Sequence, residues 1–280
     1  MTLSVERRKE LEGLCRRFRR DVVDTLYAVQ TGHPGGSLSV CEILVALYFV
    51  KARIDPKRPD WPDRDRIVMG KGHAAPMLYR VLAGRGFIPV GEMRTLRQLN
   101  SRLQGHPHPA KCPGVESTSG PLGIALPAAL GMALAVRLEE RTSRVYAILG
   151  DGETNEGVVW ETCQAANKFK AANLTIIVDK NGVQLDGPTD EVMPGLDLGA
   201  KFRAFGLHVI ECDGHDMDSL CGALDAANAE TESASVIIAN TVKGKGVSFM
   251  EGQSAWHGAC IDEMSWRRAM EELAEGPDDD

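Results

Sequence analysis

Residues 144–187 read RVYAILGDGETNEGVVWETCQAANKFKAANLTIIVDKNGVQLDG. Val145 to Leu149 is a short apolar run ending in Gly150-Asp151-Gly152. Leu174 to Val178 is a second, β-branched run ending in Asp179-Lys180-Asn181-Gly182. A helical stretch separates the two, and a further turn closes at Asp186-Gly187. Short buried strands alternating with a helix predict a βαβ unit, hence an α/β fold with a parallel sheet flanked by helices on both faces.

Ligands of such sheets bind at the carboxyl ends of the strands, where Asp151 and, thirty residues later, Asn181 both fall. Asp151 can offer a carboxylate and Asn181 an amide oxygen, the hard donors that magnesium takes together with phosphate and water. Gly150 and Gly152 let the backbone turn tightly beside a diphosphate. Either motif alone reads as an ordinary turn. Together, each directly after a strand, they favour a ligand site.

Outward from this unit, apolar residues at Leu11, Leu14, Phe18, Val22, Leu26 and Val29 predict a helix over 4–30. It stops at Thr31-Gly32-His33-Pro34-Gly35-Gly36-Ser37, and Ser37 or Ser39 is positioned to cap the next helix, through Ile43, Leu44, Leu47 and Tyr48. Arg66 to Met69 predicts a strand, after which His73 falls at the start of a helix, where N–H groups favour anions. A glycine- and proline-rich loop carries His106, His108 and Gly120-Pro121-Leu122-Gly123 before an Ala-rich helix near 124–138. Beyond the central unit come a helix at 197–205, a strand at 207–211, a helix near 216–229, the strand Val236 to Ala239, the loop Thr241 to Gly246, His257 and a last helix from 262 to 274. Lysines in a glycine-rich loop such as 241–246 can simply be solvated. No internal repeat or linker divides the chain, so one domain over 1–280 is expected.

Composition narrows the class. A 43% hydrophobic content can fill a core, and a formal charge of −7 without a basic cluster speaks against nucleic acid or an anionic membrane. Seven cysteines with no C-x-x-C point to reduced thiols in a cytoplasmic protein. No apolar run reaches membrane-spanning length, and the acidic end, 275–280, reads as a solvated, disordered tail.

These motifs resemble the thiamine diphosphate-binding portion of transketolases. G-D-G followed some thirty residues later by Asn is the thiamine diphosphate motif, and G-D-G-E-T-N-E-G…W-E with D-K-N-G-V-Q-L-D-G looks like its transketolase form. G-H-P-G-G-S at His33, G-H-A…L-Y at His73, G-H-P at His106, G-P-L-G…G-M-A and T-V-K-G-K-G…W-H-G at His257 are similar to further family motifs. The resemblance implies a thiamine diphosphate-binding fold in which Asp151, Asn181 and the carbonyl of Val183 hold Mg2+ (or Ca2+ or Mn2+). It implies cofactor contacts from His73, Gly120, Leu122, Gly150, Gly152 and His257, with His33, His106 and His257 facing the sugar. Glu156 and Glu161 match positions that lie toward a subunit interface in the family, or form an ordinary solvated helix face. The chain departs from the family at Ile124-Ala125, where Gln-Gly is usual after G-P-L-G.

The ring-activating glutamate and the C-terminal domain of a transketolase have no counterpart in the sequence. The expectation is therefore an N-terminal subunit of a two-chain enzyme, working with a separately encoded partner in an α2β2 assembly on sugars or sugar phosphates. Three alternatives remain: the alpha subunit of a 2-oxo acid dehydrogenase, a deoxyxylulose phosphate synthase relative, and a non-catalytic metal- or nucleotide-binding module. Zinc is disfavoured, because no His pair has helical i, i+4 spacing and no cysteine pattern accompanies them.

Overall fold

The structure, a computed structural model, describes residues 3–274, so the acidic segment 275–280 lies outside the described residues. Five strands, β1 (Arg66–Met69), β2 (Val145–Gly150), β3 (Leu174–Lys180), β4 (His208–Asp213) and β5 (Ser235–Asn240), form a parallel sheet in the order β1-β2-β3-β5-β4. The described helices are α1 (Val5–Val29), α2 (Pro34–Ser39), α3 (Cys41–Ala46), α4 (Ala75–Arg85), α5 (Ala125–Leu138), α6 (Gly157–Lys168), α7 (Thr189–Val192), α8 (Leu198–Ala204), α9 (Met217–Ala229) and α10 (Glu263–Glu272).

Strand side chains alternate between faces, and here both faces are dry. Ile67, Met69, Tyr146, Ile148, Ile177 and Ile237 enter one core with α1, α3, α4 and α9. Val68, Val145, Ala147, Leu149, Ile176, Val178, Val236 and Ile238 enter the other with α5, α6 and α8. Each such Val, Leu, Ile or Met side chain contributes roughly 1.5–3 kcal/mol by leaving water, which is why the strands read as continuous apolar runs. A right-handed crossover carries its helix on one face when the chain steps onward across the sheet and on the other when it steps back. The helices divide accordingly. The onward connections to β2, β3 and β4 bring α5, α6 and α8 to one core, and the return from β4 to β5 brings α9 to the other.

One local expectation is corrected. Ser37 and Ser39 cap nothing. Pro34, whose fixed φ suits a first helical position, starts α2 directly after His33, and α3 restarts at Cys41 without a side-chain cap. The serine hydroxyls bond elsewhere: Ser37 donates to the His33 carbonyl at 2.7 Å and Ser39 to Asp179 Oδ2 at 2.6 Å.

Candidate functional site

The loops after β1, β2, β3 and β5 meet over a cleft of about 290 Å³. The last register pair of β2 and β3 is Gly150 with Asp179, which brings the two following turns side by side. Asp151 is buried there. Gly152 N–H donates to its Oδ1 at 2.8 Å and Gly182 N–H to its Oδ2 at 2.7 Å, with Thr189 Oγ1 3.4 Å from the same oxygen. Burial pushes the Asp151 carboxyl up, and Asp179 nearby adds to this against the two N–H donors. Asn181 Oδ1 accepts from Val183 N–H at 3.1 Å, so a carboxylate, an amide oxygen and the Val183 carbonyl share one corner.

Of the residues singled out in the sequence, His73, Gly120, Leu122, Gly150, Asp151, Gly152, Asn181, Val183 and His257 line the cleft. His33 and His106 stand beside it. The His33 ring is 5.5 Å from those of His73 and His257, which are 4.9 Å apart. His106 is exposed and packs over Gly120, whose φ of +137° strains any side chain and whose added Cβ would lie a tight 3.1 Å from the His106 ring. His108 is occupied locally, its Nδ1 accepting from Ala110 N–H at 3.1 Å. Glu156 and Glu161 are exposed on or beside α6.

Two lysines complete the site. Lys71 and Lys243 are 1% and 2% exposed. Lys71 donates to Asp179, which also accepts from Ser39 and Thr241. Burial alone would raise the Asp179 carboxyl; Lys71 and these donors hold it below the ordinary range. Lys243 is not the solvated lysine its loop suggested. Its Nζ donates to the Val183 carbonyl at 3.0 Å and to His257 Nδ1 at 2.8 Å. Burial, then the charge of Lys71, lowers Lys243 to about 8. Glu153 is a further unanticipated member. Its carboxylate accepts from Gly123 N–H at 2.8 Å and Gly150 N–H at 3.1 Å, tying the G-P-L-G loop to the G-D-G turn, and burial raises it to about 7.

The arrangement suits a metal-bound diphosphate. The oxygen donors at Asp151, Asn181 and Val183 match a hard divalent cation, and two buried ammonium groups with a histidine face the same cleft, where an anion would relieve their mutual repulsion. Gly36, whose added Cβ would lie 3.2 Å from His73 Nε2, lets α2 approach this histidine closely. Among the described residues, no group of three or more His, Cys, Asp or Glu side chains is arranged to hold a metal ion, so a cation at this corner would draw on the Asn181 amide and the Val183 carbonyl beside Asp151.

All three clustered histidines are uncharged at neutral pH. Burial, then the charge of Arg97, lowers His33 to about 4; burial and Lys243 lower His257 to about 4; burial and Lys71 push His73 well below its usual value. A histidine depressed in the folded state contributes stability that is present above its unfolded value near 6.5 and is lost as pH falls toward about 4. Glu153 acts in the opposite sense, since a raised carboxyl loses stability as pH rises toward about 7. The expected outcome is therefore a difference between proteins. Between pH 6.5 and 5 the unmodified chain loses more stability in urea titrations than a His33→Asn, His257→Asn double variant, and parallel curves would contradict the assignment.

Residues 12–279 match the family described as the transketolase, thiamine diphosphate binding domain. The 6-deoxy-6-sulfo-D-fructose transketolase subunit SqwG of Clostridium sp. (strain MSTE9) is 40% identical over 268 residues, covering 96% of this chain and 98% of its own length. An apulose-4-phosphate transketolase subunit of Phocaeicola vulgatus is 36% identical over 265 residues, covering 95% and 94%. The Pichia stipitis transketolase in complex with sedoheptulose 7-phosphate superposes with a TM-score of 0.89 at 30% identity, over 96% of this chain and 41% of that one. The Campylobacter jejuni transketolase superposes with a TM-score of 0.87 at 30% identity, over 99% and 44%. With its strand-end oxygen corner, its histidine loops and these matches over nearly its whole length, the chain belongs to the transketolase family, and its cleft lies in that family's thiamine diphosphate binding domain.

Proposed function

We propose that this chain is the N-terminal subunit of a two-chain transketolase, a single diphosphate-binding domain that moves a two-carbon ketol unit from a ketose to an aldose together with a separately encoded partner. The observation that carries the reading is the convergence of Asp151, Asn181 and the Val183 carbonyl beside Lys243 and His73 at the carboxyl ends of the strands. In this reading the three oxygens hold Mg2+, Lys243 offsets the charge of the diphosphate, and the neutral His73 can offer it only an N–H. Gly120 and Leu122 touch the cofactor from the loop that Glu153 pins. Thiamine diphosphate, when bound, supplies the carbanion-stabilising ring. The chain supplies position and proton transfer: His33, His106 and His257 face the sugar, and neutral imidazoles suit exchange with hydroxyl groups. His257 accepts the Lys243 ammonium at Nδ1, which leaves its Nε2 as the N–H that can face a sugar oxygen.

The relatives named as subunits, matched over 98% and 94% of their length, support the two-chain reading. Their names join transketolase to a sulfonated and a phosphorylated ketose, which supports a donor with an anionic end. At the cleft, Leu122 and Leu185 are left 37% and 62% exposed, an apolar rim suited to a partner in an α2β2 assembly. Seven free cysteines, six of them buried, suit a reducing cytoplasm.

Ketol transfer assayed with the purified chain, with the partner and with both tests the proposal. Activity is expected only from the mixture, because a cofactor held at the diphosphate end alone lacks the group that activates its ring. Full activity from this chain by itself would overturn it.

A further inference from the structure

Away from the cleft lies a buried polar chain that the cofactor chemistry does not explain. Arg19 of α1 and Glu42 of α3 are each 6% exposed and meet in a two-pronged pair, Nη1 to Oε1 and Nη2 to Oε2, both at 2.6 Å. The other Arg19 contacts anchor it to the Leu38 carbonyl of α2, from Nε at 3.2 Å and Nη2 at 3.0 Å. Glu42 Oε2 lies 2.9 Å from Nδ1 of His215, which stands in the turn between β4 and α9. The opposite nitrogen of that ring, Nε2, accepts from the backbone N–H of Val242 at 2.8 Å.

A backbone N–H can only donate, so His215 Nε2 carries no proton, and the ring proton sits on Nδ1 and is given to Glu42. The turn is itself pinned, with His215 N–H donating to Asp213 Oδ1 at 2.8 Å and Asp216 capping α9 through Ser219 N–H at 2.6 Å. Val242 stands between Thr241 and Lys243, and Lys243 lines the cleft. Thr241 donates to Asp179, and Lys243 places its ammonium on the Val183 carbonyl and on His257. The Gly244 N–H then donates to the Gly35 carbonyl of α2 at 2.9 Å.

We propose that His215 is a positioning residue of the cofactor site: its Nε2 fixes the backbone at Val242, and thereby Lys243, in a tautomer imposed by Glu42 and Arg19. The inference rests on the reading of Lys243 as a cation at the diphosphate end. Loss of the acceptor leaves a part-buried N–H unmet, and the loop is then free to trade its cleft geometry for a water contact. The effect belongs to cofactor affinity and not to proton transfer at the sugar.

Two measurements test it. In the full-length chain labelled with 15N-histidine, the ring nitrogens of His215 at neutral pH are expected to show a protonated Nδ1 and a bare Nε2. The opposite tautomer would overturn the proposal, whatever the cofactor does. In the enzyme assembled with its partner, His215→Phe is expected to weaken magnesium-dependent thiamine diphosphate binding by about 10- to 100-fold. Turnover should recover at saturating cofactor. His215→Gln, whose amide oxygen can still accept from Val242, should restore most of the affinity. Wild-type affinity in the Phe variant, or equal losses in Phe and Gln, would overturn it. Should the Phe variant fail to fold, the Gln affinity and the tautomer decide. Failure of the unmodified enzyme to bind thiamine diphosphate would instead remove the functional reading, leaving the tautomer result standing.

Discussion

Asn181→Ala and Asp151→Ala are expected to abolish magnesium-dependent binding of thiamine diphosphate by the assembled enzyme, with the fold retained. Each removes an oxygen from the corner where the β2 and β3 turns meet. Loss of an outer-shell partner alone typically costs 10–100-fold in metal affinity, so removal of a direct ligand should exceed about 100-fold. Asn181 gives the cleaner result. Its side chain is only part-buried, and its Oδ1 accepts a single local N–H. Asp151 also accepts from Gly152 and Gly182, and its loss leaves those two N–H groups to find water. Calorimetry with cofactor and magnesium gives the affinities, and circular dichroism checks the fold. Unchanged affinity in both variants would remove the metal assignment.

Replacement of His33 or His106 by alanine is expected to act on turnover instead, by about 10²–10⁴-fold, the usual contribution of a general acid or base. Cofactor affinity should change little, because neither residue lines the cleft where the oxygens and lysines gather. His33 stands at the N-terminus of α2, its Nδ1 3.4 Å from Arg97 Nη2, and His106 lies exposed above Gly120. In the proposed function both would meet a substrate arriving over the cofactor. Steady-state turnover at saturating thiamine diphosphate, with the partner and the true donor, is the measurement. Unmodified turnover would return both residues to a structural role.

What the sequence disclosed depended on range. The strand ends were legible because each is a local event: an apolar run followed at once by G-D-G or by D-K-N-G. The helices were legible from their periodicity, and α1 and α5 follow the expected bounds within a residue or so. The lysines were not. Lys71 is buried only because Asp179, 108 positions away, receives it, and Lys243 because the Val183 carbonyl does. Nothing in the residues around either one marks it as different from Lys245, which lies 3.8 Å from Glu251 nearer the surface. Glu153 was hidden for a related reason. A glutamate beside G-D-G reads as polar turn chemistry until Gly123 is seen to donate to it. The break at Val40 escaped because both serines beside it look like caps, and the hydroxyl of Ser39 turns instead to Asp179.

The strand order β1-β2-β3-β5-β4 places the strand made last in an interior position. β4 has no partner until β5 exists, since it pairs with β5 and not with β3. As the chain is synthesised, β3 therefore pairs with β2 on one side only, and the edge that Thr175 to Lys180 later offer to β5 waits unpaired, with its apolar faces only partly covered. Such an edge readily recruits another chain. Insertion of β5 closes this edge, joins β4 to the sheet and carries Lys243 to the cleft. Pairing of β5 and completion of the cofactor site are thus expected to depend on each other. Chains ended before residue 240 should aggregate instead of yielding a weaker version of the same site.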